Sequence, residues 1–115
     1  MKKLISPKQH GYIDYGFIAA FATLPSALDL NTGAKKIYSG FAANLTLVNA
    51  TTDHGAAIKP LISVKTHQKL DILNLGLLYG LSLTKPIRKD KRVLKFHLAA
   101  TALATLNVVL TDYDK

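Results

Sequence analysis

Charged residues punctuate this chain, and between them lie four apolar stretches, residues 15–28, 37–52, 72–84 and 98–111, none of which contains Asp, Lys or Arg. Ala, Leu, Gly and aromatic residues fill them without a two-residue alternation, and each exceeds the length of an ordinary strand, so the pattern predicts four helices. The polar members of the second stretch, among them Ser39, Asn44, Thr46 and Asn49, scatter around a helical wheel rather than gathering on one side. A helix that is apolar nearly all round is buried either in protein or in lipid.

A four-helix protein of 115 residues has too little interior to hide four such helices from water. The expectation is therefore an all-α fold, a four-helix transmembrane bundle made of two tandem helical hairpins. About 16 residues rising ~1.5 Å each span ~24 Å against a hydrocarbon core of ~30 Å, so flanking residues have to help. Lys35, Lys36, Lys69 and Lys95 are expected to snorkel, with Tyr12, Tyr15, Tyr38 and Tyr113 near the interfaces. Asp29 to Gly33, His54-Gly55 and Lys85-Pro86 supply the turns between stretches. Lys2 and Lys3 precede only Leu4 and Ile5 before a polar break, so no cleavable signal is read and the first helix is expected to remain in the mature protein.

Composition sharpens this reading. The net charge is +8 and the pI about 9.8, yet all seven acids are Asp and whole segments carry no charge, unlike soluble helical proteins that keep a charged face on every helix. The absence of Cys excludes disulfides, thiolate nucleophiles and thiolate metal sites. Residues 1–115 form one domain, too short for separate catalytic and cofactor units.

The halves resemble each other, over about residues 7–55 and 64–113. His10-Gly11-Tyr12-Ile13-Asp14-Tyr15 returns as His67-Gln68-Lys69-Leu70-Asp71-Ile72, and the block from Leu47 to His54 returns as Leu106 to Tyr113. Each repeat is one hairpin, so both halves run the same way across the bundle. His10, Asp14, His67, Asp71, Asp53, Asp112 and His54 therefore converge by depth at the end that holds both chain termini.

A hairpin repeated twice, with a polar HxxxD lead-in and a Ser/Pro element closing its first helix, resembles the SPW-repeat type of small bacterial and archaeal membrane protein. Leu24-Pro25-Ser26 stands where the first such element falls and Thr84-Lys85-Pro86 where the second does. The likeness covers nearly the whole chain, although there is no Trp and the Ser-Pro order is not kept. It implies a four-helix protein of the bacterial inner membrane and no activity.

His10 and Asp14, like His67 and Asp71, stand four residues apart and share a helix face. Imidazole and carboxylate on facing helices suit a structural hydrogen-bond network that ties two hairpins together in lipid, which is the leading expectation. The alternative is a metal-binding or proton-linked membrane protein using the same residues; nitrogen and oxygen donors without sulfur suit zinc, manganese or ferrous iron. A further alternative is a soluble basic helical module. His97 stands at the opposite end without a partner histidine, so haem is not expected and an interfacial hydrogen-bonded role is. Asn44, Asn49, Asn74 and Asn107 are candidates for interhelical hydrogen bonds, and Gly76-Leu77-Leu78-Tyr79-Gly80 fits GxxxG.

The densest basic run, residues 85–95, joins the third and fourth helices. Arg88, Lys89, Lys91 and Arg92 are candidate contacts to anionic lipid head groups, and a tight hairpin offers little platform for nucleic acid, which is not an expected partner. Lys2, Lys3, Lys8, Lys59, Lys65, Lys69 and Lys115 nearly balance it at the other end; the termini are placed outside the cytoplasm. No GxSxG, glycine-rich phosphate loop or paired Glu is present, so the chain is read as a non-enzyme without a cofactor. Its expected partners are the lipid bilayer and a second copy or another membrane protein.

Overall fold

A computed structural model describes residues 3–114; Lys2 and Lys115 lie outside the described residues. All regular structure in them is helical: α1 (Pro7–Ala27), α2 (Thr32–Ala50), α3 (Val64–Leu81), α4 (Lys85–Arg88) and α5 (Lys91–Leu110). The four expected helices are present as the long ones, and each begins well before its apolar stretch because a polar side chain caps it. Ser6 accepts from Gln9 N–H while Gln9 returns the bond to Ser6 N–H, a capping box. Asn31, Ser63 and Asp90 accept the corresponding bonds for α2, α3 and α5. The HxxxD segments are thereby wound into the first turns of α1 and α3.

The basic run after α3 is not a plain loop. Pro86 near the start of α4 needs no N–H bond there, and the single turn presses Ile87 into the core, where it is fully buried. Asp29 takes a left-handed φ of 50° to end the first helix, a conformation that short Asp tolerates. α1 packs against α2, and α3 against α5, with α4 docked on α5 and α2.

Two isolated parallel bridges are built alike. Ile5 bridges to Thr111, with Leu4 and Ile5 N–H on the Leu110 carbonyl and Asp112 N–H on Ile5. Thr52 bridges to Ile62, with Leu61 and Ile62 N–H on the Thr51 carbonyl and Asp53 N–H on Ile62. Each links the residues before one helix to the end of another, and each fixes one threonine at the same end of the bundle.

The distribution of polarity is inverted. His10, Asp14, Asn49, Thr52, His67, Asp71, His97, Thr101, Asn107 and Thr111 are buried, whereas Leu47 is 68% exposed, Leu103 59% and Leu77 50%. The apolar core is confined to the far end, where Phe21, Leu30, Ala34, Tyr38, Ala42, Ile87 and Val93 cluster. Tyr38 and Tyr113, expected at the interfaces, are buried, because each hydroxyl has a partner inside; Tyr12 is exposed. Among the described helices, α5 alone is long and apolar enough to cross a membrane. The expectation of four such spans exceeds this: polar lead-ins with Gln, His and Lys dilute α1 and α3, and Asn and Thr dilute α2.

The GxxxG glycines of α3 do not pack helices together. Additional atoms at Gly16, Gly40, Gly76 or Gly80 would meet nothing within 4 Å, so the GxxxG face of α3 points outward. The four asparagines do bridge elements: Asn44 to Asn74, Asn49 to the Gly11 carbonyl, and Asn107 to Asp14.

Candidate metal centre

The first turns of α1 and α3 bring the two HxxxD pairs together. His10 Nε2 lies 3.2 Å from Asp14 and 3.0 Å from Asp71, and His67 Nε2 lies 3.0 Å from Asp14 and 3.2 Å from Asp71. Both imidazoles thus face both carboxylates, one pair within a helix and the other across the hairpins. All four residues are buried, and one ligand atom from each falls within 4.8 Å of the others. The rings meet edge-on, with centroids 5.2 Å apart.

The far nitrogen of each ring is anchored by threonine. His10 Nδ1 is 2.8 Å from Thr111 Oγ1 and His67 Nδ1 is 2.6 Å from Thr52 Oγ1. Thr111 and Thr52 already donate their hydroxyl hydrogens to the carbonyls of Asn107 and Val48, one turn back. Each hydroxyl oxygen must therefore accept, so each Nδ1 carries the proton. In a neutral ring this leaves the Nε2 lone pair aimed at the centre, the arrangement in which an outer hydrogen bond orients a metal-ligating histidine. His10 Nε2 is buried and, despite its two near carboxylate oxygens, makes no hydrogen bond of acceptable geometry.

The carboxylates have outer partners too. Asn107 Nδ2 donates to Asp14 Oδ1 at 3.1 Å, and Tyr113 donates to Asp71 Oδ2 at 2.8 Å. Burial, reinforced by the Asp71 charge, pushes the Tyr113 phenol up, so it stays a donor. The four N···O distances of 3.0–3.2 Å use both oxygens of Asp71, Oδ2 toward His10 and Oδ1 toward His67, while Asp14 faces both rings with Oδ2.

The remaining residues expected here divide. His54 is buried next to the cluster, its ring centroid 5.9 Å from that of His67, but its nitrogens are used elsewhere: Nε2–H to Asn49 Oδ1 at 2.8 Å, and Nδ1 as acceptor of Ala56 N–H at 3.2 Å. Burial lowers its pKa, which favours the neutral ring. Asp53 is exposed, and Asp112 accepts Asp114 N–H in a terminal turn, so neither joins the centre. Each sits one residue past the inward-facing threonine and points away. The residues missed were Thr52, Thr111, Asn107 and Tyr113. The repeated blocks Leu47 to His54 and Leu106 to Tyr113 contain all four, and Asn107 is also among the asparagines expected to bridge helices.

His97 is fully buried rather than interfacial. Its Nε2–H donates to the Leu78 carbonyl at 2.6 Å and Nδ1 accepts from Tyr38 at 2.7 Å, so both nitrogens are satisfied. Arg88, Lys89, Lys91 and Arg92 are all exposed at the far end. No family model matches the chain, and no curated protein or solved structure matches it either.

Proposed function

We propose that this chain is a bilayer-embedded bundle of two tandem helical hairpins that holds one divalent transition-metal ion between His10, Asp14, His67 and Asp71. The observation that carries the reading is the state of the imidazoles: Nδ1 of each is tied to a threonine, and Nε2 of each faces two carboxylates, with His10 Nε2 lacking a hydrogen-bond partner. Two neutral imidazoles and two carboxylates offset the charge of a divalent cation, leaving a neutral centre suited to a low-dielectric surrounding. The donor set suits zinc, manganese or ferrous iron.

Lipid as the host follows from the inverted polarity, since large apolar side chains cover the outside while polar ones fill the inside. Charged side chains gather at both ends, with Lys3, Lys8, Lys59, Lys65 and Lys69 near the terminal end and Lys35, Lys36, Lys85, Arg88, Lys89, Lys91, Arg92 and Lys95 near the far one. The slight excess of basic residues at the far end, including Arg88 and Lys89, is the support for placing that end in the cytoplasm against anionic head groups and the termini on the opposite side.

The same four side chains without an ion form a clamp of paired charges between the hairpins, the reading that His67 Nε2 at 3.0 Å from Asp14 favours. Metal analysis of protein extracted in detergent decides between them. One ion per chain, absent from a His10→Ala/His67→Ala variant that still folds, is the expected result. Metal-free protein that takes up no zinc, manganese or ferrous iron, and whose stability falls in that variant, would establish the clamp instead.

A further inference from the structure

A cavity of about 40 Å³ adjoins the cluster. Its floor is His10, Asp14 and Asp71, and its walls are mostly phenyl and aliphatic, with Phe17 and Phe41 among them and Ala104 on the α5 side. Asn107 also lines it. The Asn107 amide is oriented by chemistry, because its NH₂ group has to face the Asp14 carboxylate; that leaves Oδ1 as the free acceptor. Oδ1 is buried and without a partner. Two of the buried polar atoms that lack partners, His10 Nε2 and Asn107 Oδ1, thus belong to residues bordering the same small space.

A buried acceptor with no donor is costly, about 1–3 kcal/mol, and a space of this size holds a water molecule. Water in an apolar chamber needs at least two polar partners to stay. Asn107 Oδ1 supplies one, and the centre beside His10 supplies the other.

We infer that the metal centre is open toward this cavity, and that a water molecule occupies the open coordination position and donates a hydrogen bond to Asn107 Oδ1. This rests on the metal reading above and adds a ligand to it. Four protein donors close a tetrahedral zinc site, but manganese and ferrous iron take further ligands, and a position left for exchangeable water is the mark of a centre that can bind a small neutral ligand. The apolar walls select against a charged one, because an anion would leave the neutral centre with a buried, unpaired charge. Asn107 acts as a positioning residue through the water and through Asp14.

The test uses the full chain in detergent, stripped of metal and loaded with Mn²⁺, with its electron paramagnetic resonance recorded in ordinary and in ¹⁷O-enriched water. Broadening of the Mn²⁺ lines in enriched water is the expected result. It should disappear in Ala104→Leu, which fills the chamber from the α5 wall without touching a metal ligand, while one Mn²⁺ per chain is retained. Bound Mn²⁺ with unbroadened lines overturns the open position alone. Broadening that persists at full strength in Ala104→Leu places the water outside the cavity and overturns it as well. Failure of the wild-type chain to bind Mn²⁺, zinc or ferrous iron overturns the metal reading instead.

Discussion

The two ends of the bundle bury histidine in opposite ways. At the far end His97 has one donor and one acceptor for its two nitrogens, the Tyr38 hydroxyl and the Leu78 carbonyl, within an aromatic core where Phe21 stacks on Tyr38 at 5.4 Å. Nothing there is left over, and the arrangement joins α2, α3 and α5 as a latch. At the terminal end His10 and His67 spend one nitrogen each on a threonine and turn the other toward carboxylates. The latch closes its own hydrogen bonds, whereas at the terminal end His67 Nε2 reaches Asp14 and His10 Nε2 is left without a hydrogen bond.

That contrast can be broken most forcefully by removing the imidazoles that face the centre. His10→Ala with His67→Ala is expected to lower metal content to background, read by elemental analysis, while His97→Ala, if it folds, keeps one ion per chain. The next largest effect belongs to the outer anchors. Thr52→Val or Thr111→Val removes the Nδ1 partner but no ligand, and metal affinity measured by competition with a chelator should fall about 10–100-fold. An unchanged affinity in both variants would show that the threonines do not orient the rings.

Gly11→Ala follows in size. An added Cβ would come 2.6 Å from His54 Nε2, on a ring already held by Asn49 and Ala56, so the ring has to move. A loss of about 1–3 kcal/mol is expected in thermal or denaturant unfolding in detergent. Tyr38→Phe sharpens the comparison from the other side. Loss of one buried hydrogen bond should cost about 1 kcal/mol of stability and leave metal affinity unchanged. A drop in affinity would mean that the latch and the centre are coupled.

The smallest effect is a pH dependence from His54. Its folded state favours the neutral ring below the ordinary value of 6.5, so this contribution is fully present above pH 6.5 and shrinks as the pH falls from there through the lower folded value. Unfolding curves of metal-free protein should show a decline below pH 6.5 that is smaller in His54→Gln. Equal declines in both would assign it to other groups.

Much of the terminal end was legible from the chain alone, because its signals are local. His10 with Asp14 and His67 with Asp71 are four residues apart, a spacing that puts them on one helix face whatever the packing. The repeat of that spacing, together with hairpin topology, brought them to one depth. Thr52 and Thr111 are not legible in the chain, because hydroxyls carry no charge and each stands beside an acidic residue that does. Only the bond each makes to the carbonyl one turn back reveals the direction of its lone pairs. The pairing of Tyr38 with His97 leaves no trace in sequence, since 59 positions separate them and neither has a local partner. α4 was hidden in a basic run whose charges obscured Ile87, one apolar residue that closes the core.

The most direct measurement is X-ray absorption at the zinc edge of the zinc-loaded full chain. The account predicts first-shell nitrogen and oxygen at about 2.0–2.2 Å, with the outer-shell scattering of two imidazoles per ion. Zinc surrounded by oxygen alone, or by a single imidazole, would contradict the convergence of His10 and His67 on one centre.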